Sequence, residues 1–282
     1  MPTDVPDGQP FVELETTLDS LQLVGRGRTA DVCAWEDGQV LKLFHPRFSE
    51  EPVRREALAT RLAHEAGLAV PAVGGLVRLA GRLGIVYERI SGGTMLGAMR
   101  GNLLRVAPLS RQLGVLHAAM HGVKGGGLML LSDYVEWNIA HAPGITEDLR
   151  AALLARLATM PPGDALCHGD LHPDNIVMTA RGPVIIDWMT AVCGNPLADM
   201  ARSLLMIRSG APLEQMGRLE TAAINLARLV MFRNYLRAYR QVRATPEAEL
   251  AAWRPIMAAA RLTEGVPESE KVWLRRVAAG EV

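Results

Sequence analysis

The sequence has few features that tie a protein to a compartment or a partner. It holds only three cysteines, Cys33, Cys167 and Cys193, widely spaced. That count and spacing exclude a disulfide framework and a Cys-based metal finger, and they predict buried thiols in a reducing cytosol. It has no surplus of charge, with 30 Lys+Arg against 30 Asp+Glu, so bulk charge argues for neither a nucleic-acid nor a membrane partner. It has no apolar run of the roughly 18 residues that a membrane helix requires. Met1–Pro6 lacks the basic region and apolar core of a signal peptide, so a cytoplasmic protein is expected. There is no internal repeat and no low-complexity segment. What the chain does have is apolar bulk: 49% of its 282 residues are hydrophobic. That is enough for a sizeable core, and the length allows about two domains.

One stretch organises the rest. Cys167-His168-Gly169-Asp170-Leu171-His172-Pro173-Asp174-Asn175 runs into Ile176-Val177-Met178, and Val184-Ile185-Ile186 runs into Asp187-Trp188. The link Thr179–Pro183 is turn-rich, so the two apolar runs read as a β-hairpin with acids and an amide at its ends. Asp170 and Asn175 follow D-x-x-x-x-N, and Asp187 closes a β-branched run of the kind found in buried strands. A lone buried carboxylate is expensive unless it meets a cation. Three converging oxygen-bearing side chains suit a Mg²⁺ and phosphoryl-transfer centre, because hard cations take oxygen ligands. Turn capping is the plain alternative for Asp170 and Asn175.

HGDLHPDN followed by IIDW resembles the catalytic core of the aminoglycoside phosphotransferase and choline kinase family. The resemblance implies a bilobal, protein-kinase-like α+β fold: a small N-terminal antiparallel-sheet lobe with one helix, expected over residues 1–90, and a larger, mostly helical lobe over 91–282. It implies Asp170 as the base that accepts the substrate hydroxyl proton, and Asn175 and Asp187 as ligands of the Mg²⁺ that accompanies ATP.

The segment before the hairpin adds nucleotide-side candidates. Residues 1–10 read as a loose arm. Leu21–Val24 leads into Gly25-Arg26-Gly27-Arg28-Thr29-Ala30-Asp31-Val32, a G-x-G-x-x-A-x-V run close to the kinase glycine loop. Glycines let backbone approach phosphate oxygens; Ala30 stands where the protein-kinase version has its third glycine. Asp37-Gly38 predicts a hairpin turn, after which Val40–Phe44 predicts a strand with Lys42 on the face of Val40 and Phe44. In this order Lys42 matches the strand lysine that kinases place on the α- and β-phosphates. Ser49-Glu50-Glu51-Pro52 predicts a helix start, with Ser49 as its cap, and Gly67 its stop. Glu56, mid-helix beside the apolar face, is the expected Lys42 partner. Pro71–Val77 and Leu83–Glu88 predict two more strands. Tyr87–Gly93 resembles the hinge between lobes, where the Glu88 carbonyl and the Ile90 amide are the candidates to read adenine.

From Thr94 onward helices are expected. Leu109, Leu113, Leu116 and Met120 recur at helical spacing, with His117 a satisfied structural residue. Two helices are expected around Ala142-Pro143-Gly144, and Pro161-Pro162-Gly163 ends the second. The resemblance implies that His168 braces the loop and that Asp199 ties it down; His172 reads as a loop anchor, with a substrate contact as the alternative. Arg202, Arg208, Arg218, Arg228, Arg233, Arg237, Arg240 and Arg243 outnumber the acids around them, chiefly as solvated helix faces, and they favour a neutral or anionic acceptor over a polycation.

The expected function is therefore a cytosolic, Mg²⁺- and ATP-dependent kinase of a small hydroxyl-bearing metabolite, with GTP as an alternative donor and neither nucleic acid nor membrane as partner. A protein Ser/Thr kinase fits less well. Gly169 stands where H-R-D has Arg, there is no A-P-E, and Asp187 to Pro196 leaves little room for an activation loop. A nucleotide-binding scaffold without catalysis is the non-enzyme alternative.

Overall fold

In a computed structural model, residues 9–209 and 217–282 are described; the expected arm at 1–10 falls mostly outside them. In chain order the elements are β1 (Val12–Glu13), β2 (Leu23–Arg26), β3 (Ala30–Ala34), β4 (Gln39–Phe44), α1 (Glu50–Glu65), β5 (Val73–Leu79), β6 (Arg82–Glu88), β7 (Gly93–Thr94), α2 (Met95–Met99), α3 (Leu103–Met120), α4 (Leu131–Ala140) and α5 (Glu147–Thr159). They continue with β8 (Ala165–Cys167), β9 (Ile176–Thr179), β10 (Gly182–Ile185), β11 (Val192–Gly194), α6 (Pro196–Ser209), α7 (Arg218–Val242), α8 (Glu247–Ala260) and α9 (Glu268–Ala278).

The chain forms two compact units, Met1–Met95 with Asp174–Ala191, and Leu96–Pro173 with Val192–Val282. Relative to the expected division at residue 90, the hairpin at 174–191 joins the first unit. The reason is pairing: β9 is hydrogen-bonded to β10 on one side and to β7 on the other, and the Ile185 amide donates to Ala69 O at 2.8 Å.

In the first unit six strands run in the order β1-β5-β6-β4-β3-β2. The pairings are antiparallel except that two-residue β1 lies parallel to β5, so the sheet is mixed at one edge rather than antiparallel throughout. Period-2 alternation sorts β4 cleanly. Leu41 and Leu43 join one buried cluster with Val77, Leu79 and Val86. Phe44 and Val40 join the other, under Val53 and Ala57 of α1. Asp37-Gly38 makes the expected turn, with Gly38 at φ +75°, a left-handed conformation that glycine adopts without a Cβ penalty. α1 ends as expected at Gly67, where Leu68 N donates to Ala63 O at 3.0 Å and Gly67 N to His64 O at 2.9 Å, a Schellman closure. Its start differs from expectation: Ser49 occupies the cap position, but its hydroxyl makes no capping bond.

The second unit is built on helix pairs. α3 packs along α7, and at their closest point a Cβ on Gly114 would stand 2.4 Å from Tyr235 O, so glycine is what lets the two backbones meet. The buried residues of α3 are Val106, Ser110, Leu113, Gly114, His117, Ala118 and Met120; the expected Leu113 and Met120 are among them, and Ser110 and His117 make the face more polar than the leucine spacing predicted. The expected helices on either side of Pro143 are α4 and α5. β8 pairs with β11, and no motif foretold that pairing. Among the described residues no helix is long and apolar enough to cross a membrane, and all three cysteines are buried and free.

Candidate active site

In the first unit the strand, the helix and the hairpin bring three charged groups together. Lys42 Nζ donates to Glu56 Oε1 at 2.7 Å and to Asp187 Oδ1 at 2.8 Å. Lys42 lies 13% exposed between a Glu56 at 1% and an Asp187 at 40%, so Asp187 is the member of the set open to solvent. Burial pulls the Lys42 pKa down, but the charges of Glu56 and Asp187 outweigh it, and the ammonium is held above its ordinary range. Burial likewise pushes the Glu56 carboxyl up, against the pull of Lys42. Tyr87 donates its hydroxyl to Glu56 Oε1 at 3.2 Å, a contact no sequence pattern announced. Asp187 adopts φ +65°. A non-glycine residue held there stores strain of the kind found at functional sites.

The remaining nucleotide-side candidates line up by register. Gly25 pairs with Val32, Val32 with Lys42, and Lys42 with Ile85 across adjacent strands. Gly27 N donates to Ala30 O at 2.9 Å and closes the glycine turn. At the end of β6, Glu88 N donates to Ala72 O and Arg89 N to Gly38 O, while the Glu88 carboxylate meets Arg181 at 2.9 Å. Ile90 follows in the segment between β6 and β7. Asn175 is 8% exposed, at the end of a short 3-10 turn, Pro173–Asn175. Its carbonyl accepts from Ile186 N at 3.0 Å, which ties the start of the hairpin to the residue before Asp187. The Asn175 carboxamide and the Asp187 carboxylate are oxygen donors of the kind that suits Mg²⁺.

In the second unit the loop at His168 and Gly169 hangs on Asp199. Its Oδ2 accepts from His168 N at 2.7 Å, His117 Nε2 at 3.1 Å and His121 Nε2 at 3.2 Å, and its Oδ1 accepts from Gly169 N at 2.9 Å. The other imidazole nitrogens face phenols: His117 Nδ1 is 2.5 Å from Tyr235 Oη, and His121 Nδ1 is 2.7 Å from Tyr239 Oη. A carboxylate only accepts, so both rings donate to it from Nε2. Burial would raise the Asp199 pKa, yet the two histidine bonds hold it well below the usual range. Among the described residues His117, His121 and Asp199 are the group whose type and spacing could hold a metal, but every ligand atom is already engaged in this network, so the cluster reads as a hydrogen-bonded hub. His121, Tyr235 and Tyr239 were not picked out from the sequence; the signal was the i, i+4 spacing of both the histidine pair and the tyrosine pair.

Asp170 itself is 29% exposed, with His172 Nε2 at 3.6 Å from Oδ2 and Arg202 Nη2 at 3.9 Å from Oδ1. Its amide donates to His168 Nδ1 at 3.2 Å, the expected brace. Burial would raise its pKa, but the His172 hydrogen bond and the Arg202 charge outweigh it, and the carboxyl is lowered to about 2. His172 thus stands beside the Asp170 carboxylate. Arg202, counted among surface arginines, is 3% exposed.

A sheet lysine paired with a helix glutamate, and a β-hairpin ending in an aspartate on that lysine, define a protein-kinase-like fold. The chain belongs to the phosphotransferase enzyme family, whose model matches residues 20–243. A search of curated proteins finds no match. Among solved structures it is similar to the amicoumacin kinase hAmiN, in complex with AMP-PNP, Ca²⁺ and Ami, at 15% identity and TM-score 0.62, covering 96% of this chain and 89% of that one. It is similar to a thermostable mutant of aminoglycoside phosphotransferase APH(4)-Ia, in complex with ADP and hygromycin B, at 14% identity and TM-score 0.61, covering 93% and 92%. It is also similar to macrolide 2'-phosphotransferase MphH from Brachybacterium faecium, at 21% identity and TM-score 0.52, covering 92% and 91%.

Proposed function

We propose that the protein transfers the γ-phosphate of ATP to a hydroxyl of a small cytoplasmic metabolite, with Mg²⁺ and with GTP as an alternative donor. The observation that carries this reading is Lys42 bridging Glu56 and Asp187 at 2.7 and 2.8 Å. Glu56 aims the ammonium, which binds the α- and β-phosphates. Asn175 and Asp187 would hold Mg²⁺, which neutralises charge on the phosphates when bound. Gly25 and Gly27 support the phosphate-loop reading. Neither has a positive φ, and a Cβ on Gly25 would meet nothing closer than 3.8 Å. Gly25 also lies at the register irregularity of β2, and its open face is compatible with the close approach of a phosphate. The Glu88 carbonyl and Ile90 amide are assigned to the purine edge, and Val32 to its face.

Asp170 orients the acceptor alcohol and takes its proton as the alcohol oxygen bonds to the γ-phosphorus and the bond to the β-bridging oxygen breaks, releasing ADP. A carboxylate with a pKa of about 2 is a weak base, so its main contribution is orientation, as suits a loose phosphoryl-transfer state. The surplus of arginines over acids in the last part of the chain supports a neutral or anionic acceptor over a polycation, although the two buried ones nearest Asp170, Arg202 and Arg261, are paired with Glu264 and Glu270.

The test is thermal shift with ATP, with and without Mg²⁺, followed by ADP release across alcohols, amino alcohols, sugars and nucleosides. Mg²⁺-dependent stabilisation and acceptor-dependent ADP release are expected. Stabilisation with no transfer would leave a nucleotide-binding scaffold, and a Ser/Thr peptide library labelled above every metabolite would make it a protein kinase.

A further inference from the structure

Arg202 stands apart from the other arginines of its half of the chain. It lies on α6, one turn past the hub carboxylate Asp199, and is almost fully buried. Its donors are divided among three partners. Nε donates to the backbone oxygen of Gly169, and Nη1 to Glu264 Oε1; Nη2 lies 3.9 Å from Asp170 Oδ1. Glu264 is itself held. Its amide donates to Arg261 O at 3.1 Å, and its Oε2 lies 3.5 Å from Arg261 Nε. Arg261 in turn meets Glu270 at 2.9 Å, and Glu270 accepts from Ser209 at 2.6 Å. Alternating charges therefore run from α9, through the turn after α8, to the reacting carboxylate.

We propose that Arg202 is a positioning residue that fixes the orientation of the Asp170 carboxylate for phosphoryl transfer, with Glu264 as its anchor. The role rests on the kinase reading of Asp170. A guanidinium is a rigid planar fork. Holding the Gly169 carbonyl and facing Asp170 Oδ1 with one such plane couples the loop backbone to the carboxylate it carries. His172 Nε2 faces Oδ2 at 3.6 Å, so a nitrogen stands opposite each oxygen of the carboxylate. The nucleotide-side residues Lys42, Glu56 and Asp187 form a separate set, so loss of Arg202 should act on turnover rather than on ATP.

The experiment breaks one ion pair from both ends. ADP release is measured for wild type, Arg202→Met, Arg202→Lys and Glu264→Gln, with saturating Mg-ATP and the best acceptor of the panel, alongside KM for ATP and the unfolding midpoint. Arg202→Met should lower kcat about 30- to 100-fold with KM for ATP within about threefold, because a small misplacement of a positioned group carries a cost of that order. Glu264→Gln breaks the same pair but keeps the fork on Gly169 and Asp170, and should lose only about two- to fivefold. Arg202→Lys cannot span the three partners, and should lose at least about fivefold; it decides the matter if Arg202→Met does not fold. A folded Arg202 variant within about twofold of wild type, or Glu264→Gln falling as far as Arg202→Met, would overturn the proposal. A wild-type protein that transfers phosphate to no acceptor would instead overturn the kinase reading itself.

Discussion

Glu56 and Asp199 are buried to the same degree, each 1% exposed, and are satisfied in opposite ways. Glu56 meets one cation and one phenol on Oε1, while Oε2 has no hydrogen-bond partner, and its carboxyl is pushed up. Asp199 accepts from two imidazoles and two amides, and its carboxyl is pulled down. The difference separates a working ion pair from a scaffold. On the proposed reading Lys42 shares its ammonium with a nucleotide, which fits a partner left incompletely satisfied beside a solvent-open Asp187. The loop bearing Asp170 must not move, so its anchor is saturated.

The largest expected effects lie where the first set meets chemistry. Asp187→Ala and Asp170→Asn should each lower kcat by about 10³-fold or more. In ATP thermal shift Asp187→Ala should also lose the Mg²⁺ dependence, whereas Asp170→Asn should bind ATP within about threefold of wild type. An Asp170→Asn variant turning over like wild type would remove Asp170 from its role.

Next comes the hub. Asp199→Asn leaves buried N–H donors facing an amide and should cost about 3–5 kcal/mol in urea unfolding. Glu56→Gln, with Oε2 already unpartnered and Asp187 still on Lys42, should cost only about 1 kcal/mol. Equal losses would erase the contrast.

Acid should sharpen it further. Burial, then the neighbouring His117, lowers His121 to about 4, against the hydrogen bond and charge of Asp199, with Arg243 also lowering it. The unfolded chain therefore binds the proton more readily below about pH 6.5. Stability is lost as pH falls through that value, by about 2 kcal/mol between pH 7 and pH 5. Unfolding midpoints of wild type and His121→Gln across that window test the sign; a His121→Gln protein with the same acid slope would refute it.

The smallest pair concerns helix starts. Thr146→Ala should cost about 1 kcal/mol, because its hydroxyl accepts from Leu149 N at 3.3 Å. Ser49→Ala, at a cap with no side-chain bond, should cost less than about 0.5 kcal/mol. Chemical denaturation resolves the two.

Much of this molecule is local and therefore readable. Alternation put Lys42 on the α1 face, helix spacing put Glu56 opposite it, and turn chemistry marked Gly38 and Gly67. The order of glycine turn, lysine strand and HGDLHPDN was enough to suggest the fold, because each motif is a backbone geometry with a short-range cause. The helix spacing also identified α3, but it favoured leucines over the polar stripe that the helix buries. Its His117 is satisfied by Tyr235 and Asp199, 118 and 82 residues away in the chain.

What the amino-acid order determined by itself was the set of elements and the chemical type of each candidate group. Tertiary structure alone decided that one arginine among eight is buried at Asp170, that a tyrosine completes the Lys42–Glu56 pair, and that the hairpin with Asp187 belongs to the first unit. Those outcomes depend on desolvation and on partners distant in the chain, and periodicity and local turn chemistry carry no record of either.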